Sequence, residues 1–302
     1  MRTPCSLALI SAVMLMGTSA SAQNPTTLDT AKIEAMSGLK GTFIADEHVF
    51  KIGKPRTDVK IQVDGRPMPP FMGLSSWAAF TPAQGDKVMM MGDTVVFEDE
   101  VNPAMSAALS AGLEVTALHN HFFFDEPRVY FMHIGGMGDA GILAAAVKKV
   151  YDKIAEIRAT TVIPAKNFPA KIAPVNTISV TPLETALGIK GQADQGMFKI
   201  VIGRSATMHG TRIGKEMGIN TWASFAGTDE EAVVDGDFVM TENELQPVLK
   251  AMRTEGINIV AIHQHMSHEE PRYFFLHYWG KGEAAALARS LKKVLDTQSS
   301  IR

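Results

Sequence analysis

Cysteine is almost absent: of 302 residues one is cysteine, Cys5. That excludes disulfides and thiolate metal sites from everything downstream of it, even in an oxidising compartment. Beyond the N-terminal segment no apolar run is long enough to cross a bilayer as a helix. Neither sign of charge is concentrated: there are 29 basic and 32 acidic side chains, without a long run of either, which excludes a nucleic-acid footprint. A nucleotide-binding glycine loop, a serine nucleophile elbow and a His-Glu-x-x-His helix are likewise missing.

What is present begins with an export signal. Arg2 precedes an apolar run from Leu7 to Met16, and small residues follow to Ala20-Ser21-Ala22. This reads as a signal peptide over residues 1–22, cleaved after Ala22. Removing it leaves 280 residues with 28 basic against 32 acidic side chains, enough for two domains that each bury a core. A periplasmic or secreted location follows.

The mature chain is a duplication. Leu118 to His133 recurs as Ile262 to His277 at a constant offset of 144, and the same offset pairs Gly92-Asp93 with Gly236-Asp237 and Pro103 with Pro247. Upstream the offset becomes 145, where Trp77 to Phe80 answers Trp222 to Phe225. We read a first repeat over 23–158, a proline-containing linker over 159–180 and a second repeat over 181–302. The linker ends at Thr181-Pro182-Leu183-Glu184, a capping-box pattern that starts a short helix stopped by Gly188.

Within the first repeat, alternating or apolar runs predict strands at Lys60–Val63, Trp77–Phe80, Val88–Phe97 with a break at Gly92-Asp93, Glu114–Phe122 and Val129–Ile134. Helices are predicted over about Glu100–Ser110 and Gly141–Ile154, with Glu283–Leu295 the copy of the latter. Strands and helices mix without regular βαβ alternation, so the expected fold is α+β: two tandem copies of an antiparallel sheet with helices packed on it.

The chain has nine histidines, and six are His119, His121, His133, His263, His265 and His277. Residues two apart on a strand share a face, so His119 and His121 project together. If the hairpin turns about Glu126, residue i faces 252 − i and His133 stands directly across from His119. Three imidazoles then converge in each repeat, a ligand set for zinc, copper, iron or manganese with a fourth position open. The alternative is a set of half-buried strand histidines satisfied by backbone and water. Glu126 and Glu270 are the nearest repeated carboxylates. Each can complete the site, act as general base on metal-bound water, or pair with Arg128 or Arg272 at the hairpin tip, the reading we favour. His209 is a candidate extra ligand in the second copy only; its other reading is a turn histidine. Trp77 and Trp222 read as core, and Met89, Met90 and Met91, with Met68 and Met72, read as core filling in preference to thioether copper ligands.

These motifs resemble those of the LppY/LpqO-like exported proteins, a domain-of-unknown-function family usually found as this tandem pair. The resemblance rests on Trp77 to Phe80, Trp222 to Phe225, Gly236 to Val239 and the His-x-His…Glu-Pro-Arg…His runs ending at His277 to Gly280. It covers the mature chain and implies no reaction. The family's namesakes are lipoproteins; this chain has no cysteine at the cleavage site, so no lipid anchor is carried over. Two functions are expected: a metal-dependent enzyme, hydrolytic in type, or a non-catalytic copper or zinc carrier or envelope-associated binder, whose partner is a small molecule or envelope component.

Overall fold

The structure is a computed structural model, described here for residues 28–169 and 171–298. The signal segment and Cys5 lie outside the described residues. The first repeat supplies α1 (Thr30–Ser37), β1 (Gly41–Ile44), β2 (Val49–Pro55), β3 (Gln62–Val63), β4 (Arg66–Pro67), β5 (Ser75–Pro82), β6 (Val88–Phe97), α2 (Glu98–Ser110), β7 (Glu114–His119), β8 (Asp125–Glu126), β9 (Val129–Gly138) and α3 (Ala140–Thr160). The second supplies α4 (Val180–Leu187), β10 (Gln192–Asp194), β11 (Met197–Gly203), β12 (Ala206–Met208), β13 (Thr211–Ile213), β14 (Asn220–Gly227), β15 (Ala232–Thr241), α5 (Glu242–Thr254), β16 (Asn258–His263), β17 (Glu269–Glu270), β18 (Tyr273–Gly282) and α6 (Ala284–Leu295).

The expected α+β class holds, but the two sheets are one. Twelve strands run in the order β1-β2-β5-β6-β9-β7-β16-β18-β15-β14-β11-β10, and the repeats meet where β7 pairs β16 at Leu118 and Ile262. Each half would otherwise end in an exposed edge strand with unpaired backbone groups, and the antiparallel junction removes both edges. The seam carries a reciprocal clasp. Both strands bulge, between Val115 and Ala117 in β7 and between Ile259 and Ala261 in β16, which disrupts the ladder locally. The Asn102 side chain on α2 accepts from Ile259 N at 2.8 Å and donates to Ile259 O at 3.1 Å. Its repeat partner Gln246 on α5 accepts from Val115 N at 3.1 Å and donates to Val115 O at 2.8 Å. Each repeat thus satisfies the bulged backbone of the other.

The helices share one face of the sheet and close a single core across both repeats, with Phe80, Met90, Leu118 and Met132 meeting Ala104, Met105 and Val147, and Phe225, Ile262 and Leu276 meeting Val248, Leu287 and Leu291. The opposite face is open in its middle and flanked by two three-stranded sheets, β4-β3-β8 and β13-β12-β17. Each covers a small second core: Val95, Phe97, Val129 and Phe131 in the first repeat, Val239, Tyr273 and Phe275 in the second. The helix α4 begins at Val180, with Ser179 as N-cap and no side-chain cap, so the anticipated capping box does not form. Glu184 instead accepts from Lys190 Nζ and from Gly191 N, further along the chain. The anticipated strand at Gly92-Asp93 is unbroken: β6 runs through it because the Gly92 Cα lies so close to the neighbouring strand that a Cβ there would meet Trp77 O at 2.7 Å.

Candidate metal centre

The histidines stand on the open face, but not in the register expected. The chain between β7 and β9 does not turn tightly about Glu126; it leaves the sheet so that Asp125 and Glu126 can pair with Val63 and Gln62. The resulting register sets Ala117 opposite His133 and Phe131 opposite His119, a two-residue shift from the expected pairing that preserves the face. In the second repeat Ala261 faces His277 and Phe275 faces His263. The triplets are therefore diagonal, and the rings still meet: His119 lies 5.1 Å from both His121 and His133 by centroid, and His263 lies 5.1 Å from His265 and 4.7 Å from His277.

The carboxylates that the sheet brings to these rings are Asp93 and Asp237, cross-strand partners of His133 and His277. They were visible in the sequence only as the repeated Gly-Asp pair, an acidic residue in the middle of an apolar strand. Both are buried, and in each the Oδ1 atom has no hydrogen-bond partner. Burial pushes both carboxyls above the ordinary aspartate range, and the neighbouring histidines pull against it: His133, His121 and His119 for Asp93, His265 and His277 for Asp237. An unpaired buried carboxylate oxygen is costly unless a cation or proton meets it.

In the second repeat the donors converge. Asp237, His263 and His265 each offer a ligand atom, and the three atoms lie within 4.8 Å of one another. Ligand atoms around one tetrahedral zinc lie about 3–4 Å apart given metal–ligand distances of about 2 Å, so side-chain rotation alone closes the gap. The hydrogen bonds fix which ring nitrogens are free. His265 Nδ1–H donates to Gly218 O at 3.1 Å, leaving Nε2 to face Asp237 Oδ2 at 2.9 Å. A divalent cation bound to both would sit at that contact. His277 Nδ1–H donates to Gly236 O at 3.1 Å, again presenting Nε2. Such carbonyl partners orient the ligating histidines of metal sites. His263 keeps a buried Nδ1 without a partner, and burial, reinforced by the charges of His277 and His265, holds its pKa down at about 4. The neutral imidazole is the form a metal needs.

The first repeat is looser. His119 Nδ1 makes a 3.3 Å bond to Asn120 O; His121 lies flat on Phe131 at 3.3 Å between centroids, as His265 does on Phe275 at 3.5 Å, but unlike His265 it makes no hydrogen bond. Burial and then the His119 charge lower its pKa. Among the described residues Asp237, His263 and His265 are the one group whose ligand atoms come this close together.

Other expected residues fall elsewhere. Glu126 and Glu270 are exposed on β8 and β17, in the flanking sheets, and among the described residues neither pairs with Arg128 or Arg272. The favoured tip ion pair is thus not made. His209 has a φ of 50° in the Met208-His209-Gly210 turn between β12 and β13, and its ring neighbours that of His268 at 5.4 Å. It takes the position of Asp64, which has a φ of 49°, so the turn reading holds. Trp77 and Trp222 are not core: they are half-buried on the open face, opposite Asp93 and Asp237, with Lys51 and Lys199 stacked on them at 4.3 and 4.4 Å.

No helix among the described residues is long and apolar enough to cross a membrane. No curated protein matches the chain. Among solved structures, a double-ringed trimeric shell protein from the RMM microcompartment is 13% identical with a TM-score of 0.20, covering 74% of this chain and 86% of that one. The trimeric microcompartment shell protein PduB is 11% identical with a TM-score of 0.22, covering 84% of this chain and 88% of that one. Likenesses this slight carry no argument. The family described as "Domain of Unknown Function (DUF1259)" matches twice, over residues 31–153 and 181–297. Its two segments coincide with the two halves of the sheet, each with its own histidine triplet, and the chain belongs to that family as a tandem repeat.

Proposed function

We propose that this is an exported protein that binds a divalent transition-metal ion in its second repeat, through His263, His265 and Asp237, with His277 beside them. The observation that carries this reading is the convergence of those three ligand atoms at a buried carboxylate, one oxygen of which faces His265 Nε2 at 2.9 Å while the other has no partner. A mixed nitrogen and oxygen donor set of this kind suits zinc and also accepts copper, iron or manganese. The apolar leader at residues 1–22 and the LppY/LpqO-like motifs support export. The looser first triplet, His119, His121 and His133 with Asp93, is the weaker site.

A second reading, metal-dependent hydrolysis, is favoured by one feature. His265 is exposed at the open middle of the face, so an ion held there keeps a coordination position that water can reach. The tip glutamates Glu126 and Glu270 then matter only if the flanking sheets bring them to that water.

The test is metal analysis of the full chain after export, wild type beside His263→Ala/His265→Ala. The expected result is one equivalent of metal lost in the variant; equal metal in both proteins overturns the proposal. If metal is present, loss of a water-exchange signal on adding an anion supports catalysis, and its absence supports carriage.

A further inference from the structure

We propose that Met89, Met91 and Met137 form a second, separate metal site on the same open face, a thioether site for a soft monovalent cation, Cu(I). The three side chains project from one face because Met89 and Met91 are two apart on β6 and Met137 is the direct cross-strand partner of Met89 on β9. A direct cross-strand pair holds its Cβ atoms about 5 Å apart, and a diagonal neighbour stays within reach of a long side chain. Met91 has that diagonal relation to Met137, and nothing stands between them: its own cross-strand partner is Gly135, which has no side chain, and on the other side is Ala79.

These residues are not there for the core. Met90, between them, is wholly buried against the helices, whereas Met89, Met91 and Met137 are 39%, 58% and 59% exposed. The duplication provides an internal control. The same three positions in the second repeat hold Val233, Asp235 and Lys281, and the space above Gly135 is filled there by Trp279, the partner of Asp235. The fold therefore tolerates ordinary residues at each place. Three unbranched, polarisable thioethers on neighbouring, solvent-exposed positions beside a glycine can turn their sulfurs toward one ion, and thioether sulfur selects Cu(I) over divalent ions. The site lies one row along the strands from Asp93 and His133 and shares no residue with either histidine triplet.

The experiment uses the full chain carrying 13C-methyl methionine in the His263→Ala/His265→Ala background. It is titrated with Ag(I) as a redox-stable stand-in and with Cu(I) against a competing chelator under reducing conditions. Met36, Met72 and Met217 are exposed but solitary, so they report non-specific thioether binding in the same spectrum. The expected result is saturable movement of three methyl signals at the first equivalent, assigned by Met89→Leu, Met91→Leu and Met137→Leu, with the solitary methionines unmoved. The triple leucine variant should lose one equivalent of Cu(I) while keeping its melting temperature and, in the wild-type histidine background, its zinc content. Equal Cu(I) binding by the triple variant, or simultaneous movement of the solitary methionines, overturns the proposal. Failure of the histidine site to hold zinc would leave this result unaffected.

Discussion

Replacing Asp237 by asparagine should reverse sign between the metal-free and metal-loaded protein. Asp237 is 3% exposed, its Oδ1 has no partner, and burial pushes its pKa up against the pull of His265 and His277, so the metal-free fold disfavours the ionised carboxylate. Asparagine keeps the size and removes the charge, so the metal-free melting temperature should hold or rise. With zinc the balance inverts. Free zinc at 100 times Kd stabilises by about 2.7 kcal/mol, and a 100-fold loss of affinity at the same zinc leaves about 0.4 kcal/mol. For a chain of this size each kcal/mol moves the midpoint by about 2–4 °C, so the zinc-induced shift should shrink by about 5–9 °C. Asp93→Asn is the parallel variant and should alter the zinc shift less, because the donors around it converge less closely. Differential scanning fluorimetry with and without a chelator reads all four states. A drop in the metal-free melting temperature as large as that with zinc would refute the reasoning, since the carboxylate would then hold the fold and not an ion.

The seam clasp predicts that Asn102→Ala destabilises by about 2–3 kcal/mol, because it leaves the buried N–H and C=O of Ile259 without their side-chain partner; urea unfolding checks it. Gln246→Ala should cost a similar amount at Val115, and a null effect at both positions would show that the ladder alone joins the repeats. For the metal-free protein, His263 sets a pH dependence. Its pKa falls from 6.5 in the unfolded chain to about 4 in the fold, so between those values the unfolded state binds more protons and stability falls as the solution is acidified. Asp93 and Asp237, with raised folded values, act in the opposite direction, so the measurement is the difference between wild type and His263→Ala. The variant should gain stability relative to wild type from pH 6.5 toward 4; a constant difference across that window contradicts it.

Strand parity was enough to put His119 and His133 on one face, because a period of two survives any even error in pairing, whereas β7 ends at His119 and His121 reaches the same place from the loop beyond it. Parity could not supply the register. The shift arises from Asp125 and Glu126 pairing with β3, some 60 positions earlier, and such long-range pairing leaves no local signature. Asp93 and Asp237 were within reach as the acidic residues of an otherwise apolar strand, yet repeated alongside glycine they resembled a turn. The core reading holds for Met90 and Met68 and fails for Trp77, Trp222, Met89 and Met91 for a common reason: composition distinguishes apolar from polar side chains, but not the covered face of a half-open sheet from its bare one. Trp77 and Met91 have the same alternation as Ala78 and Met90, displaced by one residue.

The fusion of the two half-sheets explains why the histidine triplets lie where they do. Leu118 and Ile262 pair across the seam facing the helices, so the residues on either side of them, Ala117 with His119 and Ala261 with His263, face the opposite way at the middle of the sheet. The two alanines keep that middle low, while the flanking sheets rise over Phe131 and Phe275 on either side. A single repeat would have β7 as a bare edge, with its bulged backbone at Val115 unsatisfied and its histidines at the margin of a six-stranded sheet. Duplication therefore does more than copy a strand: it converts two edge positions into the middle of one sheet. Once covered by a partner strand, either triplet could drift in sequence without exposing an edge. What separates the repeats is not the stacking, since His121 on Phe131 and His265 on Phe275 lie alike, but the second contact that His265 makes with Asp237 and Gly218, which holds its Nε2 against the carboxylate that converges with His263.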